Sequence, residues 1–68
     1  MQSLNQMNKI VQEKINQLFN LTSKMDIPAG RRTSIKWLNR NLGIRNSQHE
    51  NFTEVMKLIK ELLKFGVQ

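Results

Sequence analysis

Residues 51–66 read NFTEVMKLIKELLKFG, and the reading of this stretch decides the fold. Phe52, Val55, Met56, Ile59, Leu62 and Leu63 recur at spacings of three and four, the period of one apolar stripe on an α-helix. Leu58 and Phe65 widen the stripe to roughly half the circumference at about 100° per residue. A helix so broadly apolar needs two neighbours to cover it. Gly66, able to take positive φ, predicts its end. Two starts fit. Ser47-Gln48-His49-Glu50 has the form of a capping box, with Ser47 bonding forward and Glu50 reaching back. Asn51-Phe52-Thr53-Glu54 repeats the arrangement four residues later.

Two neighbours are present upstream. From about Ser3 to Lys24, Leu4, Met7, Val11, Ile15, Leu18 and Met25 keep helical spacing, flanked by Ile10, Phe19 and Leu21, with Ser3 as the expected N-cap. Asp26-Ile27-Pro28-Ala29-Gly30 breaks this helix, because Pro28 cannot continue it and restricts Ile27. A second helix is expected to begin between Pro28 and Thr33 and to run to Leu42. Pro28 is suited to a first helical position, Thr33 and Ser34 are the alternative caps, and Gly43 is the expected stop. Its core face is Ile35, Leu38 and Leu42. The expectation is an all-α, compact three-helix domain spanning residues 1–68. It has a long N-terminal helix, a short basic middle helix and an amphipathic C-terminal helix. The alternative is a helical hairpin whose long first helix pairs with a second copy. The 14 Asn and Gln residues, many on the polar side of the first helix, suit a homodimer seam or reflect codon bias.

Composition narrows the function. The chain has 68 residues, 11 Lys+Arg against 5 Asp+Glu, a net charge of +6 and no cysteine. It holds one domain at most, and so small a domain hides only about 60% of the surface its unfolded chain exposes. Without cysteine there is no disulfide framework, thiolate zinc site or thiol nucleophile. No apolar run approaches the ~20 residues of a transmembrane helix, and the amino terminus lacks the layout of a secretory signal, so the expected location is cytoplasmic.

Charge is unevenly placed. Between Ile27 and His49 stand Arg31, Arg32, Lys36, Arg40 and Arg45 with no acid, and every arginine of the chain lies in that span. Guanidinium is planar, permanently charged and matched to phosphate or carboxylate by a two-pronged fork. Arg32, Lys36 and Arg40 are four apart and predict one ridge on the middle helix, roughly 125° from its core face. Trp37 falls roughly 135° to the other side, near Asn41. There the indole is either partly exposed, able to stack on a base or anchor a protein, or covered by a neighbouring helix. On the third helix, Lys57, Lys60 and Lys64 stand near Glu54 and Glu61, as on an ordinary solvated face.

Chemistry has little to work with. His49 is the only histidine, its neighbour Glu50 is the only adjacent ligand type, and no glycine-rich phosphate loop exists. No catalytic residue, metal or cofactor is assigned. Leu38-Asn39-Arg40-Asn41-Leu42-Gly43-Ile44 resembles the first half of a helix-turn-helix, in which glycine turns the chain and the next apolar residue plugs the core. Asn39 stands where that motif keeps a small residue, and His49 stands where it keeps an apolar one.

The sequence therefore predicts a small basic binding module. The first expectation is nucleic-acid binding, DNA included, through phosphate contacts from Arg31, Arg32, Lys36, Arg40 and Arg45. Trp37, Asn39 and Asn41 would add stacking or base-edge contacts. The second is a regulatory or adaptor protein that docks the same arginines and Trp37 on an acidic protein surface. Membrane attachment by the third helix is disfavoured, because its lysines are offset by glutamates.

Overall fold

The computed structural model describes residues 4–67, with side chains from residue 8, and contains three α-helices: α1 (Leu4–Thr22), α2 (Ile35–Asn46) and α3 (Phe52–Lys64). The protein is an all-α, three-helix fold, and α3 is the shared element, packed against both α1 and α2. Its breadth explains why. Val55, Leu58, Ile59 and Leu62 are all buried, and they meet Leu18 of α1 and Ile35, Leu38 and Leu42 of α2 in one cluster. Val11, Ile15 and Leu21 of α1 cover its edge. The Ser3 cap and the side chains of Leu4 and Met7 lie outside the described residues. No helix among those described is long and apolar enough to cross a membrane.

α3 begins at the second of its two expected starts. Asn51 holds the N-cap position without a side-chain bond, while its carbonyl accepts the Val55 N–H at 2.9 Å. The Ser47–Glu50 capping box does not form. His49 organises the turn instead. Asn51 N donates to His49 Nδ1 at 3.0 Å, and His49 Nε2 lies 3.1 Å from the Lys24 carbonyl at the end of α1. A ring that accepts at Nδ1 carries its proton on Nε2 and donates it to Lys24. At the other end Gly66 takes φ 84°, the Gly66 N–H reaches Leu63 O at 3.0 Å, and the Val67 N–H reaches Leu62 O at 3.1 Å. This is a Schellman ending, and it folds Val67 back onto the core.

The segment between α1 and α2 departs from expectation. Pro28 does not open α2; it sits in extended conformation ahead of a single 3-10 turn, Ala29–Arg31. α2 starts after Ser34, whose carbonyl accepts the Leu38 N–H at 2.9 Å. Met25 and Ile27, on either side of exposed Asp26, are both buried and tie this connection into the core. Gly43 does not end α2. The helix runs through it to Asn46, because an interior glycine costs only about 1 kcal/mol and burial of Leu42 and Asn46 offsets it. The helix-turn-helix resemblance fails here: the chain turns after Asn46, and Ile44 is 73% exposed where the motif needs a core plug.

Two buried polar side chains hold the joints. Asn46, 4% exposed, accepts the Asp26 N–H at 2.9 Å and donates to the Asp26 carbonyl at 3.1 Å. Thr22, fully buried, donates to the Leu18 carbonyl at 2.7 Å, with the Arg32 carbonyl also within 3.2 Å. The α1–α3 seam carries an ion pair between Lys14 and Glu61, both half-buried. Glu61 was expected to pair along its own helix; its partner lies across the seam. The Lys14 hydrogen bond, assisted by the charges of Lys14, Lys57 and Lys64, holds the Glu61 carboxyl below the usual glutamate range. A depressed carboxyl stabilises the fold fully above its ordinary value, and that contribution disappears as pH falls through the lowered one. Melting temperatures of the wild type and Glu61→Gln are therefore expected to differ at neutral pH. The gap should close only below the ordinary glutamate range, and a gap unchanged down to pH ~2 would exclude this role.

Candidate functional site

The exposed side of α2 and the 3-10 turn before it carry the basic residues. Lys36 and Arg40, four apart, both point to solvent. Trp37 and Asn41 form the adjacent row, each half-buried. The Trp37 ring packs against the core cluster, and its backbone carbonyl accepts a hydrogen bond from Asn41 Nδ2 at 2.9 Å. The 3-10 turn then brings Arg31 alongside. Arg31, Ser34, Lys36, Trp37, Arg40 and Asn41 border one open groove of about 310 Å³. Among the described residues none of its three cations is ion-paired.

A second groove, about 290 Å³, shares Trp37 and Asn41 with the first and is lined by Asp26, Pro28, Trp37, Asn41, Ile44 and Arg45. Its chemistry is different. Arg45 Nη1 lies 3.7 Å from Asp26 Oδ2, both groups mostly exposed, so the acid that precedes the basic span partly neutralises its last arginine. Apart from the Asn41 amide, the remaining walls are apolar or aromatic.

Of the seven residues singled out in the sequence, Arg31, Lys36, Trp37, Arg40 and Asn41 meet around the first groove, and Arg45 borders the second. Arg32 does not join the ridge. α2 begins three residues after it, and its guanidinium carbon lies 5.7 Å from the centre of the Phe19 ring on α1, a cation–π contact. Its Nε is buried without a hydrogen-bond partner. Arg31, one residue earlier, takes the place that Arg32 was expected to fill. Asn39 is exposed but borders neither groove.

Pro28, Ile44 and Asp26 were not foreseen as wall residues. A bulky apolar side chain one position past an apparent helix stop was the available signal for Ile44, and it was absorbed by the turn reading. The described residues contain no group of three or more His, Asp or Glu able to hold a metal. Comparison with known proteins finds no matching family model, no matching curated protein and no matching solved structure.

Proposed function

We propose that the chain binds nucleic acid, with phosphates held by Arg31, Lys36 and Arg40. The observation that carries this reading is the meeting of three unpaired cations, from two separate elements, around a groove walled by the chain's only tryptophan. Arginine suits phosphate by its fork, and lysine adds a mobile point charge. Three phosphate contacts give weak, salt-sensitive binding. On release of counterions, log K should fall with log salt at a slope of about −3 on a duplex and about −2 on a single strand.

The test is a fluorescence-anisotropy titration with labelled oligonucleotides at rising ionic strength. Arg31→Gln, Lys36→Gln and Arg40→Gln combined should cut the slope by about two to three units. Helicity and melting should hardly change, since exposed charges contribute little to folding. Arg32→Gln should leave the slope intact. No binding even at low salt would overturn the proposal.

The exposure of Ile44 beside Trp37 favours a second reading, in which these cations pair with carboxylates of a larger protein and the apolar groove takes an anchor side chain. A pulldown from nuclease-treated lysate separates the two. Partners retained after nuclease support protein docking, and partners lost with the nucleic acid support the first reading.

A further inference from the structure

We propose that the groove between Trp37 and Ile44 holds an unpaired nucleobase, so that the ligand class is single-stranded nucleic acid rather than duplex. This rests on the nucleic-acid reading above and assigns the second groove within it. The two grooves share the Trp37–Asn41 row as a common wall but differ in charge. One carries three cations and no acid. The other carries a carboxylate already paired with Arg45, and otherwise offers Pro28, the indole, Ile44 and the Asn41 amide. The Asp26–Arg45 pair leaves the second groove with no net charge to hold a phosphate, whereas a neutral flat ring meets apolar walls and a few polar atoms. A ligand that fills both must set an anionic group beside a planar, uncharged one at short range. A nucleotide does so, with its phosphate on Arg31, Lys36 and Arg40 and its base across the indole.

Pairing decides between strand states. In a duplex the bases are stacked inside the helix, and their faces cannot enter a side groove. In a single strand every base has a free face for an aromatic side chain. Trp37 is well suited to this use because its ring is braced by the core and its backbone by Asn41, so little ordering is lost on binding. Asn41 keeps its side-chain oxygen and a second N–H for the base edge.

Because Trp37 is the chain's only tryptophan, its emission reports on the row that both grooves share, and stacking across the indole should change it most. A short oligothymidylate, chosen because it does not self-pair, should quench that emission in step with anisotropy-detected binding. A duplex of equal length should bind through the cations without stacking on the indole, and quench the emission far less. Trp37→Leu should weaken the single strand by about tenfold or more and leave duplex affinity unaltered. Ile44→Ser, at an exposed position that folding does not depend on, should weaken the single strand alone and keeps the test open if the tryptophan variant fails to fold.

Equal quenching by duplex, or single-strand affinity indifferent to both variants while Arg31, Lys36 and Arg40 still govern binding, would overturn the base site and leave the phosphate site standing. Binding to neither strand form at low salt would remove both. Quenching by polyglutamate that competes with oligothymidylate would overturn the base site and give the groove to a protein partner.

Discussion

Leu38→Ala is expected to unfold at a much lower urea concentration than the wild type. Leu38 is fully buried, on the face of α2 that meets α3, with Ile35 and Leu42 beside it. Truncating a buried leucine costs about 2–5 kcal/mol, through lost burial and the cavity left behind. A chain of this length has only roughly 3–10 kcal/mol to lose at typical stability per residue. One side chain therefore takes a large share of the margin, about half at mid-range. Urea melts followed by circular dichroism measure it, and the adjacent Trp37 provides a second probe whose emission should shift red together with helix loss. Asn39→Ala, one residue on but exposed, should move the midpoint by no more than about 0.5 kcal/mol equivalent. A Leu38→Ala melt within ~1 kcal/mol of wild type would mean that α2 does not rest on α3 as described.

Asn46→Ala comes next in size, at roughly 2–4 kcal/mol. The substitution removes both bonds to the Asp26 backbone and leaves an N–H and a carbonyl without partners in a partly buried place, each costing about 1–3 kcal/mol. Asn46→Asp should not rescue it, since the carboxylate keeps the acceptor, loses the donor and faces Asp26 nearby. Hydrogen exchange at the Asp26 amide gives a local readout, with protection lost in the variant beyond what global destabilisation explains. A melt within about 0.5 kcal/mol of wild type would show that this joint contributes nothing. Binding should weaken as well, because the joint sets where Asp26 and Pro28 stand against Trp37.

The three helices were legible because periodicity reports burial directly. Ile35, Leu38 and Leu42 share a face by spacing alone, and the width of the α3 stripe already required two neighbours. Boundaries were harder, because they depend on partners distant in the chain. Gly43 has every local mark of a stop, yet the residue that decides the matter is Asn46, whose ligand is the backbone of Asp26. A signal did exist: Asn46 continues the four-residue spacing of Leu38 and Leu42, which puts a polar amide on the apolar stripe. Thr22 stands in the same relation to Leu18.

The basic cluster was legible as a span but not as a surface. Arg31 and Arg32 are equivalent by composition, and only the 3-10 turn decides that one borders the groove while the other lies against Phe19. The loss of Arg45 to Asp26 turned on a single acid just outside the uncharged-by-acid stretch, whose approach needed the Asn46 joint to form.

The shared position of α3 has a consequence for synthesis. It is third in chain order, so the faces of α1 and α2 that rest on it stay uncovered until it has emerged from the ribosome. Until residues 52–64 are available, Leu18, Ile35, Leu38 and Leu42 lack the apolar face that buries them.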